Sequence, residues 1–193
     1  MDVVAFIEKL NLFDILAAFF VAGFFVVGYI QGALRRLLGL AIALFSLLVA
    51  LNLRDPLGGW LAQYWTHLPR PYVYMLAFGT SFVLIYLGGS ITVQTFYRRT
   101  TIFARATVVD EVIGGILGAL QALLLLGTMI LILDSYYNLA GMPADANEIG
   151  ILRDIFNFYD PSQVAELFRT SLIPLFFALF GWITPSDLAA YYR

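Results

Sequence analysis

The chain has 193 residues, of which 61% are hydrophobic and 12% are charged, with a formal net charge of −2 and no cysteine. Ordinary soluble domains carry about 25% charged residues, and a soluble fold of this length cannot bury so much apolar surface. The composition predicts a single membrane domain over residues 1–193, gives no overall attraction to nucleic acid, and excludes disulfides and thiolate metal sites.

The first apolar run predicts a transmembrane helix over 12–31. Asn11 can cap this helix, and Asp14 lies near its positive end. Gly28 and Gly32 give the helix a side of small residues where a neighbour can pack. The N-terminal residues lack the basic n-region and cleavage site of a signal peptide, so we expect the run to be kept.

The next two apolar runs predict helices over 34–53 and 72–97. The first is short for a bilayer core of about 30 Å, and it reaches across if the stems of Arg35 and Arg36 extend it. The RDPLGG sequence at 54–59 is expected to end it. An aromatic-rich segment typical of the membrane–water boundary precedes the third helix.

A fourth helix is predicted over 111–133, with Asp110 as its cap. Small residues recur along it at every fourth position: Gly114, Gly118 and Ala122. Gln121 falls on the same side, near the middle of the membrane. This pattern is typical of a helix packed inside a bundle, where a neighbouring backbone approaches closely.

The C-terminal region, 145–193, is expected to lie along the membrane surface as amphipathic helices. One helix is predicted over 148–159 from its apolar spacing. Asp160 resembles the cap of the next helix. Pro174 and Pro185 bracket about ten residues, which is roughly 15 Å of helix and only half a bilayer. The sequence therefore predicts an all-α membrane protein with four spans in two hairpins, followed by interfacial helices.

Orientation follows the basic residues in short loops beside helix ends. The joints after the first and third helices carry five of them: Arg35, Arg36, Arg98, Arg99 and Arg105. We expect that side to be cytoplasmic and both termini to be periplasmic. The paired arginines at both joints also leave open a duplicated hairpin.

Three stretches resemble the colicin V production protein family. The sequence DEVIGGILGAL at 110–120 is similar to the last spanning helix of that family. Asp14 followed by the Gly-Ala-Leu-Arg joint at 32–35 resembles its first hairpin, and the Ser-Leu-Ile-Pro sequence at 171–174 resembles its C-terminal segment. The order and spacing hold over 12–183. The chain departs from the family pattern at three places: Glu111, Gln121-Ala122 and Arg35-Arg36.

The resemblance implies a multi-pass protein of the bacterial inner membrane, linked to colicin V production or export and to envelope integrity. It implies no settled biochemical activity. Related four-helix modules anchor some periplasmic serine proteases.

Few polar residues are candidates for function. Asp110 and Glu111 form either an acid pair or a cap with a favourable dipole charge, and we favour the cap. Asp14 is either a functional acid or part of a wet first turn near the interface, and we favour the latter. Gln121 needs a partner across the bundle, so we expect interhelical hydrogen bonding rather than substrate contact. His67 is the only histidine and lies among interfacial aromatics.

The sequence shows no metal-ligand spacing, phosphate loop or catalytic triad, so we expect no enzyme activity and no cofactor. Our first hypothesis is a non-enzymatic membrane component that forms a homo-oligomer or binds an envelope or export protein. The alternative is an oligomeric small transporter or channel with Asp14, Gln121 and third-helix hydroxyls along a polar path. Gly114 and Gly118 could serve packing within one chain or between two, and a membrane enzyme using Asp14 and Asp134 ranks third.

Overall fold

The computed structural model describes residues 11–96, 107–140 and 147–192. Within these ranges the chain is helical and forms no strand, which confirms the predicted all-α membrane class. The helices are α1 Leu12–Gln31, α2 Ala33–Leu61, α3 Arg70–Phe96, α4 Thr107–Tyr137, α5 Gly150–Tyr159, α6 Gln163–Leu167, a π-helical turn Phe168–Leu172, α7 Ile173–Phe180 and α8 Ser186–Tyr191.

Five helical runs in the described chain are long and apolar enough to cross a membrane. They are Leu12–Gln31, Ala33–Leu61, Arg70–Val93, Val108–Tyr137 and Gln163–Phe180. The first agrees with the predicted span 12–31. The third agrees with 72–97 up to Phe96, since the last predicted residue lies outside the described ranges.

The second helix does not end at 54–59 as predicted, because α2 continues through Pro56 to Leu61. Two tertiary contacts support its last turns. Arg54 donates a hydrogen bond from Nη1 to Asp187 Oδ2 on α8 at 2.6 Å, and Gly58 lies so close to α3 that an added Cβ would come within 2.8 Å of a tyrosine ring. These contacts outweigh the local tendency of proline and glycine to end a helix.

The fourth helix is also longer than the predicted 111–133. It begins at Thr107, so Asp110 lies in its first turn and is not its cap, and it continues past Asp134 to Tyr137. The helix can extend because its polar last turns are buried and hydrogen-bonded. Asp134 is 1% exposed.

The C-terminal region differs most from prediction. Residues 163–180 form one helical run of 18 residues rather than a ten-residue segment between prolines. A π-helical turn precedes Pro174, and the N–H of Ile173 bonds to the carbonyl of Phe168. This wider turn accommodates a residue that has no N–H and whose ring would clash in a regular helix. Interfacial placement of this run stays a prediction.

The predicted cap at Asp160 is also wrong. The hydroxyl of Ser162 caps α6 by accepting the N–H of Ala165 at 3.0 Å. The helix predicted over 148–159 is present as α5. Residues 141–146, in the predicted polar break, lie outside the described ranges.

The central helix of the bundle is α4. Its main partners are α1 and α2, and α2 also packs along α3, whereas the sequence neighbours α1 and α2 touch little. Gly32 has a φ of 81°, in the region open mainly to glycine, and this allows the abrupt joint that sends α2 away from α1. The two helices of each predicted hairpin, α1 with α2 and α3 with α4, are therefore not each other's main packing partners.

Glycines make the α1–α4 contact possible. Gly114 lies against the Gly28 carbonyl and the peptide after Gly32, and Gly118 lies against the Phe24 carbonyl. A Cβ on either residue of α4 would overlap the backbone of α1. The small-residue face therefore packs against another helix of the same chain.

We predict that Gly118→Leu destabilises the folded protein by at least about 3 kcal/mol, because the added side chain must push two backbones apart. The measurement is the midpoint of thermal unfolding in detergent. Gly23→Leu is the control, because a Cβ there meets nothing within 4 Å. Equal midpoints for both variants would contradict the glycine contact.

Candidate functional site

Buried polar side chains gather at opposite ends of the bundle. One group, the Asp134 cluster, lies where α4 meets the C-terminal helices and consists of Asp134, Asn138, Tyr159, Arg169 and Tyr192. The other, the Arg36 cluster, lies between α2, α3 and α4 and consists of Arg36, Tyr86 and Gln121.

The centre of the Asp134 cluster is a two-pronged ion pair. Arg169 donates from Nε to Asp134 Oδ2 and from Nη2 to Oδ1, both at 2.7 Å. Tyr159 donates to Oδ1 at 2.8 Å, and Tyr192 donates to Oδ2 at 3.0 Å. Asn138 adds a bond of 3.0 Å to Oδ1. Both oxygens of a fully buried carboxylate are thus hydrogen-bonded, as a buried charge requires.

The protons of this cluster are held firmly. Burial raises the pKa of Tyr159, and the adjacent carboxylate of Asp134 raises it further. The pKa of Tyr192 is raised by the same two causes. Both phenols therefore remain neutral donors near pH 7, and an arginine remains charged. The arrangement is suited to joining helices.

Two further ties join the C-terminal helices to the same end of the bundle. Arg153 donates two hydrogen bonds to Glu148, at 2.8 and 3.0 Å, and Tyr136 of α4 donates to the same carboxylate. Arg54 and Asp187 pair as described above. Although burial, the largest influence, acts to raise the pKa of Asp187, the hydrogen bond and charge of Arg54 bring it below its usual value.

Asp14 belongs to this end and is not in a wet turn as predicted, since it is only 4% exposed. Its Oδ2 accepts the N–H of Asn11 at 2.8 Å, and its Oδ1 accepts the N–H of Val164 at 2.8 Å. It therefore occupies the N-terminal ends of α1 and α6 together. Negative charge is favourable at both positions.

The Arg36 cluster links three helices near the other end of the bundle. Arg36, which is 8% exposed, donates from Nη1 to Gln121 Oε1 at 2.9 Å, and Gln121 donates from Nε2 to the Tyr86 hydroxyl at 3.0 Å. The guanidinium also lies 5.3 Å from the centre of the Phe24 ring, in cation–π range. Gln121 thus has partners on two other helices.

A cavity of about 170 Å³ adjoins this cluster. Its lining is Phe24, Gln31, Arg35, Arg36, Gly39, Ile42, Tyr86, Ser90, Val93 and Gln121. The cavity brings together two of the predicted polar residues, Arg35 and Gln121. Asp14 is not among its lining residues.

The remaining predicted residues lie elsewhere. Asp110 is 4% exposed beside Gly32, and its Oδ1 has no hydrogen-bond partner among the described residues. Ala122 is fully buried, and His67 is exposed in the turn between α2 and α3. Three predicted loop cations lie outside the described ranges: Arg98, Arg99 and Arg105.

Sequence reasoning missed the partner of Asp134 and the burial of Arg36. A signal was present for the first, because Asp134 and Arg169 are single charges beside long apolar runs, and such residues in membrane proteins pair with one another. For Arg36 the sequence is equally compatible with a side chain that extends towards water at the membrane surface. Only the position of Gln121 on a third helix decides that the side chain points inward.

We predict that Asp134→Ala destabilises the protein by about 3–5 kcal/mol, because it leaves the Arg169 charge without its partner. The check is thermal unfolding in detergent at neutral pH. The control is Asp55→Ala, since that carboxylate is 56% exposed and lies 4.0 Å from its nearest cation. A loss no larger than the control's would show that the ion pair is not structural.

Comparison with known proteins agrees with the resemblance noted in the sequence. The family model described as colicin V production protein matches residues 13–170. No curated protein and no solved structure matches the chain. The matched range includes α1 to α4, Arg36, Asp134 and Arg169. Because it covers well over half of the 193 residues, this membrane protein belongs to the colicin V production protein family.

Proposed function

We propose that this protein is a non-enzymatic component of the bacterial inner membrane that acts by assembling with copies of itself, as the membrane part of a system for toxin production or export and envelope maintenance. The observation that carries the proposal is a face of α3 on which small residues point away from the chain's own bundle. Family membership supports the setting, and the buried polar contacts support the absence of catalysis.

The outward face of α3 centres on Gly88 and Thr92. An added Cβ on Gly88 would meet nothing within 4 Å, so no part of the described chain covers it. Thr92 follows four residues later and is exposed. The exposed apolar side chains beside these positions are Leu84, Leu87 and Ile91.

Small residues four apart with aliphatic neighbours are typical of close helix pairing in membranes. The hydroxyls are compatible with this, because Thr92 and Thr95 donate to carbonyls of their own helix at 2.8 Å. The backbone of a second α3 could therefore approach without leaving a polar group unpaired. By contrast, α1 exposes bulky residues such as Phe19 and Ile30, which suit lipid contact.

The carboxylates at the Asp134 end support a non-enzymatic role. Asp134 is engaged by five hydrogen bonds and Asp14 by two backbone N–H groups. A general acid or base needs an exchangeable proton and access to a substrate. These groups instead fix the C-terminal helices to the bundle.

Orientation is part of the proposal. The arginines near the α1–α2 and α3–α4 joints support a cytoplasmic position for that side, with the Asp134 end and both termini in the periplasm. The C-terminal helices would form a rigid surface on that side. A partner from the envelope could use it.

We predict that Gly88→Leu raises the dissociation constant of the assembly at least tenfold, about 1.4 kcal/mol, without lowering the unfolding midpoint. Native mass spectrometry from lipid nanodiscs and in-membrane cross-linking measure the subunit number. Gly23→Leu is the matched control, with an equally open glycine on α1. A monomeric wild type, or assembly unchanged by Gly88→Leu, would refute the proposal.

We predict that a reporter that works only in the periplasm is active when it is fused after residue 192. A reporter that works only in the cytoplasm should be active when it is inserted between 98 and 105. Paired reporters that work in opposite compartments provide the measurement. The reverse result at either position would invert the proposed topology.

A further inference from the structure

We propose that the cavity beside Arg36 binds a phosphate group, either as the headgroup of an anionic phospholipid or as the free anion. This inference goes beyond assembly through α3 and does not depend on it. It rests on the charges and hydrogen-bond donors that line the cavity.

The charge of Arg36 is buried, and no described residue serves as its counter-ion. Its hydrogen-bond partner is the neutral amide of Gln121, and it lies over the neutral ring of Phe24. No salt bridge to a carboxylate is formed by Arg36 within the described chain. A buried charge is costly unless it is paired, so the site is electrostatically incomplete.

A second positive charge lies in the same lining. Arg35 lines the same cavity, and its charge acts on Arg36 as a like charge. Among the described residues, the lining contains no aspartate or glutamate. Two cations with no acid between them attract an anion, and the low dielectric of the bundle strengthens that attraction.

Hydroxyl groups on α3 line the same cavity. Tyr86 accepts the amide N–H of Gln121, and within the described chain its own O–H donates no hydrogen bond. Ser90 lines the cavity one helical turn further along α3. A phosphate group, with several acceptor oxygens and no strong donor when ionised, complements this set.

Size and position favour a headgroup-sized anion. The cavity, at about 170 Å³, is smaller than the roughly 300–1,000 Å³ of sites that enclose whole drug-like ligands. Arg35 and Arg36 are in the first turn of α2, and Ser90 is near the end of α3. The cavity is therefore close to one end of these spans, at the depth where phospholipid headgroups lie.

The test uses the full-length protein, stripped of lipid in a maltoside detergent that contains no phosphate. One arm adds inorganic phosphate, and the second adds short-chain phosphatidylglycerol. We expect at least one ligand, at about 100-fold excess over its dissociation constant, to raise the unfolding midpoint by ~5–11 °C. A shift in both arms identifies the phosphate group as sufficient, and a shift with the lipid alone identifies the headgroup as the source.

The variants decide whether Arg36 is responsible. Arg36→Gln should weaken binding at least tenfold, whereas Arg36→Lys, which keeps the charge, should lose less. Arg35→Gln is a second variant, because Arg35 is partly exposed and lines the cavity, and it should weaken binding several-fold. Arg70→Gln, an exposed arginine at the start of α3, is the control.

Two results would overturn the proposal. One is a wild-type protein whose midpoint moves with neither ligand. The other is binding that survives unchanged in both Arg36→Gln and Arg35→Gln, because the anion would then be held elsewhere. Equal loss in Arg70→Gln would likewise show a nonspecific charge effect.

Discussion

The ion pair between Asp134 and Arg169 joins the last turns of α4 to the helical run that follows. Both prongs are 2.7 Å long, and the carboxylate is completely buried. In a bilayer neither charge could be left without a partner, so the pair specifies one position of the C-terminal helices against the bundle. Tyr159 and Tyr192 donate the further hydrogen bonds that the carboxylate needs, and they fix α5 and the residues after α8 to the same point. The bidentate geometry adds direction as well as attraction.

The fit of α1 against α4 is a second constraint, of a different kind. It depends on the absence of side chains, since Gly28, Gly114 and Gly118 bring two backbones together. Lipid provides little driving force for apolar side chains to leave it, so close van der Waals contact becomes important for helix association. The same argument distinguishes Gly88 on α3, which is small but uncovered. A glycine covered by its own chain stabilises the fold. An open glycine with a small residue one turn away, as Gly88 has Thr92, is available to a second chain.

The two ends of the bundle solve the problem of buried charge differently. At the Asp134 end, cations and carboxylates are matched, and the result is a rigid junction. At the Arg36 end the partners of the cation among the described residues are an amide and an aromatic ring. A buried cation without a counter-ion is less costly if a ligand completes it, which is the basis of the proposed phosphate site.

The sequence by itself determined the all-α membrane class, the first span and the approximate positions of the next three. A run of about 20 apolar residues is long enough to cross a bilayer and is rare in other structures. It also indicated, through glycines at every fourth position, that α4 packs closely. The predicted α2 and α4 are too short, because proline at 56 and a charge at 134 usually end an apolar helix. Tertiary contacts from Asp187, Tyr159 and Arg169 support the longer helices.

Only the tertiary structure decided which polar groups meet. Arg36 and Gln121 are 85 residues apart, and Asp14 and Val164 are 150 apart. Periodicity along one helix defines a face but does not say which other helix covers it. The partner of a buried charge is therefore a property of the assembled bundle, because it depends on the relative rotation and depth of helices that the local sequence does not specify.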